Sequence, residues 1–281
     1  MRGIRLLVPA LVVLGLLAPP AGAASQGRLG TAPRMELGAV ALGAASPSWY
    51  TPAVASEVAG AAGAPVTPPV DAPLPGSIGI RPGSWMVAPH ACTMSFVFRS
   101  GGSLGIGTAG HCVDVVGQSV VLLTIEPTAP SNPVLVDIGT VVVRRSNGIG
   151  DDFALVSIRP ELHAWVSPTA AVVGGPCGHF VGAAVEPVWH AGHGYAVGTG
   201  GTPRSGLATA WTQNAFGWVG AAIYGDSGSP VRITTGLLGA GHLTHLVVQD
   251  AWLPATLVGT RIARMLALAP GWSLASSSLC L

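Results

Sequence analysis

The chain has 281 residues, of which 49% are apolar and only 9% charged, and its formal net charge is +1. This is ample apolar material for one or two buried cores. With no lysine at all and no cluster of arginines, it lacks the basic footprint of a nucleic-acid binder, so nucleic acid is excluded as an expected partner.

Arg2 and Arg5 precede an apolar run from Leu6 to Leu17, after which Ala21-Gly22-Ala23 supplies small residues for cleavage. This pattern predicts a secretory signal peptide over residues 1–24 and an extracellular, secreted protein. The run is shorter than the ~20 residues that a membrane span requires, so no stable membrane insertion is expected once it is removed. Residues 25–77 are mostly Ala, Gly, Pro and Ser, and include Ala64-Pro65-Val66-Thr67-Pro68-Pro69. Such a stretch has little to bury and reads either as a flexible linker or as a propeptide removed after export, which would make the chain a zymogen.

From about Ile78 the texture changes. Phe96-Val97-Phe98, Leu104-Gly105-Ile106, Val120-Val121-Leu122-Leu123 and Thr140-Val141-Val142-Val143 are short apolar runs punctuated by Gly, Pro, Ser and Asn. They predict an all-β barrel or sandwich. Arg159 to about Ser167 reads as a crossing between two halves, about 78–160 and about 168–281. Near the end, Leu257, Arg261, Ile262, Met265 and Leu266 recur with near-helical spacing, predicting a closing helix over about 254–268.

Three motifs carry chemistry. Tyr224-Gly225-Asp226-Ser227-Gly228-Ser229-Pro230 places a serine in a glycine-flanked turn, where the amides of Gly225 and Ser227 can point at one spot and form an oxyanion hole. Upstream, Thr108-Ala109-Gly110-His111-Cys112 offers an imidazole as general base, and Asp152-Phe153-Ala154-Leu155-Val156 opens a strand with a carboxylate. Asp151 competes with Asp152 for that role, but Asp152 stands directly before the apolar alternation. His190 and His193, in Trp189-His190-Ala191-Gly192-His193-Gly194, have the spacing of a metal pair but sit among glycines that indicate a loop, so no metal and no cofactor is expected.

In order and in wording these motifs resemble those of the chymotrypsin-like serine proteases, in particular a bacterial secreted branch whose nucleophile loop reads like Gly-Asp-Ser-Gly-Ser-Pro. The resemblance implies two six-stranded Greek-key β-barrels packed together, with a C-terminal helix. It also implies a catalytic triad of His111, Asp152 and Ser227 acting on protein or peptide substrates. A monomer is expected. The alternative is a chymotrypsin-fold binding protein with little turnover.

By the same resemblance, Cys92 pairs with Cys112, which leaves Cys177 with Cys280. Thr244 matches the position whose hydroxyl supports the triad carboxylate. Ala221 falls where trypsin-type enzymes carry an acid, so no preference for Arg or Lys is expected. His242 or His245 in the pocket would select an acidic residue, while a small apolar pocket is the alternative. In that family the acid beside the serine, here Asp226, pairs with a cation, often a newly cut N-terminus. The usual Ile-Val-Gly-Gly start is missing, so either a new terminus or an arginine such as Arg81 is expected to serve.

Overall fold

The computed structural model describes residues 38–194, 201–248 and 256–280. The expected signal peptide and residues 25–37 lie outside them. The alternation of β-branched and aromatic residues with Gly and Pro produces sixteen strands and two α-helices among the described residues. In order these are β1 (Gly38–Ala41), β2 (Ala44–Ala45), α1 (Pro52–Gly60), β3 (Trp85–Ala88), β4 (His90–Thr93), β5 (Val97–Ser100), β6 (Ser103–Thr108), β7 (Ser119–Ile125), β8 (Pro133–Ser146) and β9 (Asp152–Ile158). They continue with β10 (Glu186–Gly192), β11 (Thr202–Trp211), β12 (Ala215–Val219), β13 (Pro230–Ile233), β14 (Gly239–Val248), β15 (Thr256–Arg261), α2 (Ile262–Leu268) and β16 (Ser273–Leu274).

The C-terminal half closes on itself. Its sheet runs β14-β13-β10-β11-β12-β15, and β15 pairs back onto β14 to complete a six-stranded barrel. Closure leaves no free edge within the ring, and Phe216, Trp218, Val231, Leu243 and Leu257 fill its interior. In the N-terminal half the order is β16-β5-β6-β9-β8-β7-β3-β4-β2, packed around Met86, Ile106, Leu122, Val136 and Val156. This sheet has nine strands rather than six, and β2 and β16, from opposite ends of the described chain, extend its edges. A short 3₁₀ turn, Pro160–Trp165, follows β9 in the stretch leading to β10.

The closing helix is shorter than its spacing suggests. Thr256–Arg261 is strand, and α2 begins only at Ile262; residues 254–255 lie outside the described residues. The stretch contains two threonines, a valine and a glycine and is hydrogen-bonded on both sides, to β12 and β14, so sheet pairing overrides a helical period. The helix then lays Ile262 and Met265 against Phe96, Phe98 and Phe153.

Residues 38–77 also differ from the flexible-linker expectation. Thr51 caps α1 by accepting from the Val54 amide, Pro52 occupies its first turn, and Val58 is buried among Trp85, Val87, Val121 and Leu123. Val66 exchanges both backbone hydrogen bonds with Leu135 at 2.8 Å. A handful of anchors spread over some forty residues suffices to order the segment, although their density is too low to show in its composition.

Two disulfides form, Cys92–Cys112 and Cys177–Cys280. The first closes 20 residues and ties β4 to the 3₁₀ turn that carries His111, worth roughly 3 kcal/mol by loop entropy. The second spans 103 residues, for which the same relation gives about 4.7 kcal/mol. Replacing Cys177 and Cys280 together by Ser is therefore expected to lower unfolding stability by about 3–5 kcal/mol. Denaturant melts followed by tryptophan fluorescence would read the loss.

Candidate active site

Each half of the chain contributes one wall of a cleft. The N-terminal sheet supplies Asp152, the first residue of β9, and His111, on the 3₁₀ turn Gly110–Cys112 that follows β6. From the C-terminal barrel comes Ser227, on the turn entering β13. His111 Nδ1 lies 2.6 Å from Asp152 Oδ2, and His111 Nε2 lies 2.8 Å from Ser227 Oγ. The hydroxyl, imidazole and carboxylate thus stand in one hydrogen-bonded line, although 116 residues separate serine and histidine along the chain.

The carboxylate is held from several sides. Asp152 Oδ1 accepts from the His111 amide at 3.0 Å, while its backbone carbonyl accepts from His242 Nε2 at 2.8 Å and from the Thr260 hydroxyl at 3.1 Å. Burial raises its pKa, but the hydrogen bond and charge of His111, joined by His242 and His245, outweigh it and hold the carboxyl below its usual value. Asp152 is therefore ionised at neutral pH and fixes the proton of His111 on Nδ1, leaving Nε2 to accept from the serine hydroxyl. Asp151 points elsewhere: its carboxylate accepts from Arg264 Nε at 3.1 Å and from Asn147 Nδ2 at 3.0 Å.

The serine turn needs its glycines. Gly225 and Gly228 have φ of +98° and +88°, and a Cβ on Gly228 would fall 1.9 Å from the Thr93 carbonyl oxygen. Asp226 is fully buried between them. Its carboxylate accepts from the amides of Gly194 at 2.9 Å and Ile223 at 2.8 Å, and is paired with both terminal nitrogens of Arg204. In the uncut chain the partner of Asp226 is an internal arginine, one of the two expected kinds of cation, but it is Arg204 on β11 rather than Arg81. Sequence reasoning passed over Arg204 because it stands in no motif. A weak signal existed in the glycines around His193: a Cβ on Gly192 or Gly194 would come within 3 Å of Asp226 Oδ1, so these residues form the cradle of that carboxylate.

Other sequence-based expectations are redistributed. The Thr244 hydroxyl donates to the Val258 carbonyl at 3.1 Å rather than to Asp152. The Thr244 carbonyl instead stands 3.2 Å from Ser227 Oγ. His242 is buried behind Asp152, against Phe153. His245 lies beside the triad, its ring centroid 5.7 Å from that of His111 and its Nδ1 3.8 Å from Asp152 Oδ2. Ala221 offers its carbonyl to His190 Nε2 at 3.0 Å. His190 lies within β10 rather than in a loop, and His193 stacks on Trp85 at 5.8 Å, so each ring has a structural partner of its own.

The cleft is occupied by the chain itself. The Gly225 amide donates to the carbonyl oxygen of Leu42 at 2.6 Å, and the Leu42 amide donates to the Thr244 carbonyl at 3.2 Å. Leu42 is 1% exposed and belongs to the apolar cluster of the C-terminal barrel.

No family model matches the sequence, and no curated protein matches it. Among solved structures, a glutamic acid-specific serine protease, described as using a novel histidine triad in substrate binding, aligns with a TM-score of 0.50 and 16% identity, over 70% of this chain and 100% of that one. Protease A of Thermobifida fusca gives 0.48 at 22% identity over 73% and 98%, and Nocardiopsis protease 0.48 at 20% over 69% and 98%. The fold is that of the chymotrypsin-like serine proteases.

Two outcomes follow from the buried charges. Arg204→Met leaves Asp226 buried without its cation, which is expected to cost about 3–5 kcal/mol of stability in denaturant unfolding. Burial pushes His190, His193 and His242 down to about 4. In the unfolded chain the same imidazoles titrate near 6.5, so between about pH 6.5 and 4 the unfolded state binds more protons and stability falls as pH falls. Each histidine contributes a slope of up to about 1.4 kcal/mol per pH unit. Replacing His190 by Gln should remove one of these contributions, read from denaturant midpoints measured across that range.

Proposed function

We propose that the chain is a secreted serine endopeptidase with Ser227 as nucleophile, His111 as general base and Asp152 as the carboxylate that orients and stabilises the imidazolium. The observation that carries this reading is the unbroken line of short contacts Asp152–His111–Ser227 beside an amide, that of Gly225, already engaged with a carbonyl oxygen. As Ser227 Oγ attacks a peptide carbonyl, its proton passes to His111 Nε2, and the Gly225 and Ser227 amides take up the charge on the oxygen. His111 then gives that proton to the leaving amine. Water, deprotonated by the same nitrogen, hydrolyses the acyl-enzyme.

The similar glutamate-specific protease is described as using histidines to bind substrate. Here His242 is buried behind Asp152 and its imidazole is held neutral, which does not favour an acidic side chain in the pocket. An apolar pocket agrees better with the burial of Leu42. Two disulfides and the leader-like residues 1–24 support an oxidising, extracellular destination.

A fluorophosphonate probe is expected to label Ser227 in a Leu42→Asp chain, whose carboxylate is expected to stay out of the apolar site, and in the full chain to the extent that Leu42 leaves the cleft. Absence of an adduct in both would overturn the assignment in favour of a non-catalytic binder. Ser227→Ala and His111→Ala are each expected to lower peptide turnover about 10⁶-fold, and Asp152→Asn about 10⁴-fold. Asp151→Asn should leave turnover within a few-fold, because its carboxylate faces Arg264.

A further inference from the structure

Segment 38–45 crosses the cleft from one half of the molecule to the other. β1 lies antiparallel on β14, with Gly38 opposite Val248, Ala39 opposite Val247, Val40 opposite Leu246 and Ala41 opposite His245. β2 lies antiparallel on β4 of the other sheet, with Ala44 opposite Ala91 and Ala45 opposite His90. Leu42 and Gly43 bridge the gap between the two pairings. The backbone is thus clamped on both sides of Leu42 and Gly43 and of the peptide bond that joins them, in the manner by which an extended peptide adds a strand to a sheet edge.

That bond sits at the chemistry. The Leu42 carbonyl oxygen accepts from the Gly225 amide at 2.6 Å. One oxygen, that of Thr244, lies 3.2 Å from both the Leu42 amide nitrogen and Ser227 Oγ, which brings Leu42 alongside the serine. On the other side of the bond Gly43 lies against the base: a Cβ there would be 2.9 Å from His111 Cδ2 and 3.2 Å from His111 Nε2. Any side chain there would require the imidazole or the segment to shift, which glycine avoids. The Leu42 side chain, meanwhile, is buried at 1% exposure with the apolar cluster of the C-terminal barrel.

We infer that Leu42–Gly43 is a self-processing site: the chain cuts this bond in its own cleft and thereby opens the cleft to other substrates. This rests on the serine endopeptidase reading above and assigns that site its processing bond and its preference, leucine before the cut and glycine after it. Ser227 Oγ adds to the Leu42 carbonyl carbon and its proton moves to His111 Nε2. The Leu42–Gly43 bond breaks as that proton is transferred to the Gly43 nitrogen. Water then hydrolyses the Leu42 ester, giving a carboxylate at Leu42 and restoring the Ser227 hydroxyl. The oxyanion loop needs no new terminus to take shape, because Arg204 already pairs with Asp226. Activation therefore consists of clearing the cleft. Residues from Gly43 onward remain tied to the N-terminal sheet through β2, α1 and the Val66–Leu135 pairing.

The test follows the purified full chain by intact mass and N-terminal sequencing, with the synthetic peptide Gly-Ala-Val-Ala-Leu-Gly-Ala-Ala, the sequence of residues 38–45, as external substrate. Wild type should convert to a chain beginning Gly43-Ala44-Ala45 at a rate independent of protein concentration, while Ser227→Ala stays uncut. Leu42→Asp should no longer be cut at this bond, since a carboxylate would have to enter an apolar pocket, yet should cleave the external peptide from the outset without a lag. A peptide with Asp in place of Leu should be cut at least about 100-fold more slowly. If wild type cleaves the peptide but never yields the Gly43 terminus, or if Ser227→Ala is cut at the same bond, the inference falls and the protease reading stands. If no variant cleaves the peptide and none takes up the fluorophosphonate probe, the protease reading falls and this inference with it.

Discussion

The buried pairing of Asp226 with Arg204 is the constraint on which the cleft depends. A carboxylate with no solvent exposure must be matched by donors on every side, and here two backbone amides and a guanidinium supply them. Those donors come from the glycine-rich end of β10, from β11 and from the turn before Ser227, so satisfying one charge fixes three pieces of backbone. The Gly225 amide is thereby aimed into the cleft, and Ser227 Oγ is brought to the histidine. Arginine suits this role because its planar fork offers several donors in one fixed geometry and its charge persists when water is excluded.

Across the cleft, the N-terminal sheet meets the same requirement by other means. Asp152 is buried, and its carboxylate and backbone carbonyl together take donors from His111, His242 and Thr260. The Cys92–Cys112 bond and the 3₁₀ turn hold His111 over it. Two of those donors, His242 and Thr260, come from β14 and β15 of the other half, so the carboxylate is itself held across the two halves, and the hydrogen bond between His111 and Ser227 completes the junction. Neither half alone holds an imidazole and a serine together.

Strand pairing explains why the cleft receives a segment of its own chain. The edges of β14 and β4 offer backbone groups facing the groove, and an extended, small-residue segment satisfies both. Gly38-Ala39-Val40-Ala41-Leu42-Gly43-Ala44-Ala45 has the needed features: no charge, no proline, one leucine to fill an apolar site, and a glycine where any side chain would require the imidazole or the segment to shift. Pairing on this edge carries little sequence information, which is why an Ala- and Gly-rich stretch that looks structureless by composition becomes ordered in place.

The sequence by itself determined the all-β texture and the three motifs whose order and local chemistry pointed to serine, histidine and aspartate. Local patterns were enough there, because a strand period, a glycine-flanked turn and an acid at a strand start are short-range facts. It also separated Asp152 from Asp151, since one residue of register places a side chain on the opposite face of a strand. What the sequence could not supply were partners brought from afar: Arg204 for Asp226, Thr260 and His242 for the Asp152 carbonyl, β15 in place of the first turns of a helix, and Leu42 in the cleft. Each of these depends on which backbone groups the folded sheets leave to be satisfied. Only the tertiary structure decides that, because hydrogen-bonding demand at a buried site is set by everything packed around it and by no single stretch of chain.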